Sequence, residues 1–234
     1  MNDVETRTVG SGKDVLFLLG YGITLEQPGT KWIIDKFKDE GIQTTFVIVP
    51  TDMTDYQKDI LEPCKKIEDK MGDHMLLGLS LGGLVGAYME KARKRIFLSP
   101  FWGVNDSLKY MGYDTALRRL KTVRYRIIPR KFNVSDAGYY AVKEDIHGIP
   151  MWLSFSTLYQ MVQMQSAMPP PREDDLVYRS KDDRIISHES IEARKVPIVE
   201  YEGGHMIHLV KDRDRIFSDI IGTIGRSLGS KDKK

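Results

Sequence analysis

Gly78-Leu79-Ser80-Leu81-Gly82-Gly83 is the run whose residue types and spacing point most directly to chemistry. An apolar stretch, His74-Met75-Leu76-Leu77, precedes it, and a small-residue helical stretch, Leu84-Val85-Gly86-Ala87, follows. The pattern is Gly-x-Ser-x-Gly between a strand and a helix. Such a turn lifts a serine hydroxyl out at the end of a sheet. The chain must double back within a few residues, so side chains two places either side of the serine would collide. Gly78 and Gly82 have none. Leu81 follows the serine, and its N–H can face a developing oxyanion at a helix N-terminus.

A serine hydroxyl is a weak nucleophile at neutral pH. It needs a neutral imidazole to take its proton and a carboxylate to fix the tautomer of that imidazole. Both are found downstream in the order Ser, Asp, His. A strand over 176–179 leads to a loop with Asp182 and Asp183, and a strand over 198–202 leads to Gly203-Gly204-His205. Ser80, Asp183 and His205 therefore each fall just past the C-terminal end of a predicted strand. In open α/β sheets, ligands and chemistry collect at that edge. Asp182 and His208 are the rivals. The Asp-x-Ile-Ile pattern favours Asp183, and the Gly-Gly turn favours His205. His74, His147 and His188 read as structural or exposed, and no Cys or His lies in metal-ligand spacing with the last two.

These elements belong to an alternating array. Strands are expected over 15–19, 44–49, 75–79, 96–99, 176–179 and 198–202. Helices are expected over 28–39, 56–70, 81–91 and 212–228. The βαβα alternation implies a mostly parallel sheet with helices on both faces. Between 99 and 174 the pattern breaks into mixed helical stretches without a convincing strand pair. Tyr110, Met111, Tyr113, Tyr125, Phe132, Tyr139, Tyr140, Met151, Trp152, Phe155, Tyr159, Met161, Met164 and Met168 enrich this segment. They suit either an acyl-chain pocket or the glue between the segment and the core. Arg118, Arg119, Lys121, Arg124, Arg126, Arg130 and Lys131 form a basic stretch without acids. It reads as a solvated face, or as a patch that steers anionic substrates such as coenzyme A thioesters or rests on anionic lipid.

With these motifs in view, the sequence resembles the α/β-hydrolases, the superfamily of esterases, lipases and thioesterases, from Val15 to about Leu228. Phe17-Leu18-Leu19-Gly20-Tyr21-Gly22 adds to the resemblance. In the family this position is usually a His-Gly-x-Gly stretch that supplies a second oxyanion N–H, which maps to Tyr21. Leu19 replaces the usual histidine, and Ser187 stands where a proline often follows the acid loop. The resemblance implies a single domain over 1–234, with 103–171 a helical cap insertion. It implies a carboxylesterase with the triad Ser80, Asp183 and His205, oxyanion donors Tyr21 and Leu81, and no cofactor or metal. The substrate class would be short- to medium-chain acyl esters. An acyl thioesterase or a monoacylglycerol or lysophospholipid lipase is the alternative. A binding-only protein of the same fold is a third reading, but that class loses triad members and this chain keeps all three.

Composition agrees. At 234 residues one sizeable core is expected. A net charge of +2 argues against general nucleic-acid affinity. Cys64 is the single cysteine, which excludes an internal disulfide and reads as an inert thiol. No signal-like apolar core opens the chain, and no apolar run approaches the roughly 20 residues that span a bilayer. A cytoplasmic protein without stable membrane insertion is expected, either a monomer or a homodimer.

Overall fold

The computed structural model describes residues 4–103, 119, 121–122, 126–129 and 133–229. Seven strands make the central sheet: β1 Glu5–Val9, β2 Lys13–Leu18, β3 Ile42–Ile48, β4 Met75–Leu79, β5 Arg95–Leu98, β8 Leu176–Ser180 and β9 Ile198–Tyr201. Their order is β1-β3-β2-β4-β5-β8-β9. Every pairing is parallel except β1 with β3.

The strands at the centre are apolar on both faces, as a sheet covered on both sides requires. Val15 and Phe17 of β2 enter one core, while Leu16 and Leu18 enter the other. Helix α1 (Pro28–Asp39) and helix α8 (Arg213–Leu228) close the first face. Ile33 and Phe37 of α1 meet Phe217, Ile220 and Ile224 of α8 there. Helix α2 (Glu62–Glu68) and helix α3 (Leu81–Gly86) close the second with Cys64, Leu84 and Val85. Fully burying such a side chain contributes roughly 1.5–3 kcal/mol, so these two layers fix where the strand ends lie.

The expected strands and helices of the array are present, with differences at several ends. Strand β1 carries polar residues exposed on both faces and so shows no periodicity, yet it pairs with β3 at the edge. The helix expected over 56–70 opens as a π-turn, Gln57–Leu61, and becomes α-helical at Glu62. Pro63 lacks the N–H that would close an α-turn onto Asp59, which accounts for the wider turn. Helix α3 stops at Gly86, not at residue 91. Beyond it, the buried Arg95 guanidinium takes the carbonyls of Ala87 at 2.9 Å and Met89 at 3.0 Å, and forks onto Asp175.

Between β5 and β8 the expectation of no strand pair is corrected. Strand β6 (Arg126–Pro129) pairs antiparallel with β7 (Trp152–Ser154). Three- and four-residue strands are too short to display alternation. The short helices α4 (Val134–Ala137) and α5 (Lys143–His147) precede β7, and α6 (Phe155–Ser166) follows it. Helix α7 (His188–Glu192) lies between β8 and β9. Ser187 starts α7 by accepting the Ser190 N–H at 3.1 Å, a capping role that a proline there would not supply. Met164 and Met168 are buried in the second core. Tyr139, Tyr140, Met151 and Trp152 are exposed. Tyr110, Met111, Tyr113, Tyr125 and Phe132 lie outside the described residues, as do Arg118, Arg124, Arg130 and Lys131. Arg119 and Lys121 are exposed.

Candidate active site

Parallel strands bring their C-terminal ends to one edge, and three candidate groups emerge there. Ser80 follows β4 directly, Asp183 lies three residues beyond β8, and His205 lies four beyond β9. Ser80 sits at φ 52°, ψ −114°, a left-handed conformation that a non-glycine residue adopts at a cost of roughly 1–3 kcal/mol. Its N–H is tied to Leu98 O at 2.9 Å, and its carbonyl accepts from Gly83 at 2.9 Å and Phe101 at 3.0 Å. The glycines of the motif are required by close approach. A Cβ on Gly78 would lie 2.7 Å from Gly82 O, and one on Gly82 would lie 2.1 Å from Leu18 O.

The three side chains form one hydrogen-bonded chain. His205 Nε2 is 2.8 Å from Ser80 Oγ, and His205 Nδ1 is 2.6 Å from Asp183 Oδ2. The other carboxylate oxygen, Oδ1, accepts the Ile185 N–H at 2.9 Å and the Ile186 N–H at 3.4 Å. Burial alone would raise the Asp183 carboxyl. The His205 imidazole and the two N–H groups outweigh it and hold the carboxyl below its usual range. Asp183 therefore stays an anion acceptor for the Nδ1 proton.

The rivals are placed elsewhere. Asp182 is exposed, and its Oδ2 accepts the Gly203 N–H at 3.3 Å. Ser180 Oγ donates to Gly203 O and accepts the Asp182 N–H at 3.1 Å, so the two loops are stapled together. His208 is buried in a 3₁₀ turn, Ile207–Leu209, and its Nδ1 has no hydrogen-bond partner. Burial, then Arg213 and His205 nearby, push its proton affinity down to about 3. His74 is buried 3.6 Å from Glu68, His147 is exposed, and His188 is half-buried with Nε2 3.0 Å from Asp183 O. Among the described residues no three His, Cys, Asp or Glu side chains gather as a metal site would need. Buried Cys64 has its thiol pushed up to about 12, first by burial and then by Glu68, which leaves it an unreactive thiol at neutral pH. No described helix is long and apolar enough to cross a membrane.

Leu81 is the first residue of α3, so its N–H has no acceptor within the helix. Tyr21 lies on the loop after β2, whose Gly20 passes 3.2 Å from Ser80 Cβ, measured from where a Cβ would stand. Tyr21 Oη is held by Thr51 O at 2.8 Å. Leu19 fills the first core and is fully buried, a role that an imidazole would fill poorly. A cavity of about 150 Å³ opens at Ser80. Tyr21, Leu81, Phe101, Ile185 and His205 line it, together with Ile149, Leu153 and Met161 from the segment between β5 and β8. Of these, Phe101, Ile149, Leu153 and Ile185 carried no sequence signal as pocket residues. Asp136 and Ala137 were likewise unsignalled, yet their carbonyls accept the N–H groups of His205 at 2.8 Å and Met206 at 2.9 Å.

No protein-family model and no curated protein matches the sequence. Solved structures match over nearly its whole length. The chain is similar to the monoacylglycerol lipase of Paleococcus ferrophilus, at a TM-score of 0.77 and 14% identity over 96% of this chain and 99% of that one. It is also similar to a soluble variant of the Saccharomyces cerevisiae monoglyceride lipase, at 0.75 and 13% over 95% and 91%. An esterase from Exiguobacterium antarcticum matches at 0.65 and 15% over 94% and 95%. The strand order, the serine elbow at the end of β4 and these likenesses establish that the chain has the α/β-hydrolase fold.

Proposed function

We propose that the protein is a serine hydrolase of carboxylic esters with short- to medium-chain acyl groups. The observation that carries this reading is the Ser80–His205–Asp183 relay, 2.8 and 2.6 Å long, opening on an apolar cavity. Ser80 Oγ attacks the ester carbonyl while His205 Nε2 takes its proton. The oxyanion rests on the N–H groups of Tyr21 and Leu81. His205 returns the proton to the leaving alcohol, and an acyl-Ser80 remains. Water then gives its proton to His205, attacks the acyl group and releases the acid with Ser80 restored. Asp183 fixes the proton of His205 on Nδ1 and stabilises the imidazolium formed in each half-reaction.

In this reading the described part of the segment 103–171 serves as a cap, a role supported by Ile149, Leu153 and Met161 lining the cavity. The lipases and the esterase that share the fold support ester chemistry, and the two monoacylglycerol lipases favour a monoacylglycerol-like ester. The test is labelling by a fluorophosphonate together with turnover of p-nitrophenyl esters of graded chain length. Labelling lost in Ser80→Ala and turnover of the shorter esters are expected. A wild-type protein that is neither labelled nor active would overturn the reading. Faster turnover of matched thioesters than of esters would move the assignment to an acyl thioesterase.

A further inference from the structure

Helix α1 begins immediately after the loop that carries Tyr21, with Pro28 at its first position but no side-chain cap of its own. Its N-cap is Gln27, which makes no side-chain capping bond, and its first turn holds no acidic residue. The missing acceptor comes from 116 residues away. Asp145 of α5, 2% exposed, accepts the Gly29 N–H on Oδ1 at 2.7 Å. Its Oδ2 accepts the Val142 N–H at 3.0 Å. One buried carboxylate thus caps the starts of two helices, and its charge also favours the positive end of α1.

The start of α1 in turn holds the Tyr21 loop. Gln27 Nε2 donates to Gly22 O at 3.2 Å, and Gln27 Oε1 accepts the Thr24 N–H at 3.3 Å. Gly22 sits at φ +70°, and a Cβ there would lie 2.6 Å from Ile149 Cα. The loop is therefore pressed against the residues that follow α5. Gly29 also abuts the turn after His205, since a Cβ on it would lie 2.7 Å from His208 Cδ2.

We infer that Asp145 is a positioning residue: by capping α1 through Gly29 and so fixing Gln27, it sets the Tyr21 N–H for the oxyanion. The inference rests on the esterase reading. It makes the segment around α5 a fixed brace of the reaction centre.

Asp145→Asn is the test, because the amide offers one acceptor where two N–H groups converge. Glu144→Gln, one residue away and exposed, is the control. Turnover of a p-nitrophenyl ester and inhibition by a trifluoromethyl ketone are measured. Such a ketone adds to Ser80 and places its oxyanion in the same hole. Removing an oxyanion donor costs about 10²–10³-fold in kcat, so displacing one should cost roughly 10–100-fold. We expect that loss in Asp145→Asn, with KM within about threefold and the ketone Ki raised in parallel. Glu144→Gln should match wild type. A purely structural role would lower the folded fraction and leave Ki unmoved, and that result overturns the inference. If Asp145→Asn does not fold, Gln27→Met decides, since it removes the Gly22 and Thr24 contacts and leaves both caps in place. The same paired change in kcat and Ki is expected there, and wild-type values would overturn the inference. An inactive wild type would sink the esterase reading itself, whereas an active wild type with an indifferent Asp145→Asn sinks only this inference.

Discussion

Asp183→Asn isolates what the carboxylate does. Asp183 uses both oxygens: Oδ2 accepts from His205 Nδ1 at 2.6 Å, and Oδ1 accepts the Ile185 and Ile186 N–H groups. Asparagine has one oxygen to share between these demands. If that oxygen stays with the two backbone N–H groups, the amide nitrogen faces Nδ1 and donates to it. The imidazole proton must then sit on Nε2, where it points at Ser80 Oγ across the 2.8 Å contact. An imidazole in that tautomer cannot take the serine proton. The alternative rotamer restores the tautomer but sets the amide NH₂ against the Ile185 N–H, which loses an acceptor in a buried site. The first arrangement keeps every hydrogen bond satisfied and is therefore favoured. The expected loss in kcat is about 10⁴-fold, equivalent to about 5.4 kcal/mol of transition-state stabilisation. KM should change little, because no substrate contact is altered. The assay is steady-state hydrolysis of a p-nitrophenyl ester, with thermal unfolding run alongside to verify the fold. Asp182→Asn is the paired control and should stay within a fewfold of wild type, since its carboxylate accepts from Gly203 and not from His205. Activity of Asp183→Asn within tenfold of wild type would refute the tautomer argument.

Ser80→Gly should abolish ester turnover and raise the unfolding temperature, because glycine accepts φ 52° without the roughly 1–3 kcal/mol that serine stores there; a lowered unfolding temperature in calorimetry would contradict the strain. His208→Gln should leave turnover within a fewfold of wild type but flatten the loss of stability in acid. Folded His208 binds its proton only near pH 3, below the usual 6.5, so its contribution is full above pH 6.5 and is lost as pH falls toward 3. The slope approaches about 1.4 kcal/mol per pH unit, and denaturant melts at pH 7, 6, 5 and 4 would show whether the variant lacks it. Gly82→Ala should destabilise the chain severely, because the Cβ would meet Leu18 O at 2.1 Å; recovery of a soluble protein with wild-type melting would count against the close approach. Cys64 should resist a thiol-specific reagent at pH 8 until the protein unfolds, and rapid modification of the native state would contradict its burial.

Much of the fold and of the candidate site was legible because both depend on local rules. Residues 15–18, 75–79 and 96–98 of the central strands β2, β4 and β5 are buried on both faces, so they appear as unbroken apolar runs. The elbow is written in glycines that a tight crossing demands, and the acid and the histidine follow strands at the same sheet edge. What was illegible lacked local pattern. Strand β1 is exposed over residues 5–8 and is placed by pairing with β3 at the sheet edge. Strands β6 and β7 are too short to alternate. The π-turn before Pro63 reflects a missing N–H whose effect on helix geometry is read only in three dimensions.

The segment between β5 and β8 shows a deeper reason. In sequence it looks like an appendage to an otherwise regular array. In space its backbone carbonyls at Asp136 and Ala137 hold the N–H groups of His205 and Met206, and its Asp145 holds the start of α1. These bonds join residues about 70 to 116 positions apart, so no window along the chain displays both partners. Gly204 carries a trace of the first contact, because a Cβ there would lie 2.4 Å from the Ala137 carbonyl carbon and oxygen. The Gly-Gly before the histidine is thus explained in part by the segment that leans on it. A turn that reads as a local device for presenting an imidazole is also the clearance that lets a distant backbone hold that imidazole in place. The same geometry limits how the segment can move. A displacement of 136–137 breaks the bonds to the backbone N–H groups of His205 and Met206, so this part of the segment is tied to the turn that carries the histidine.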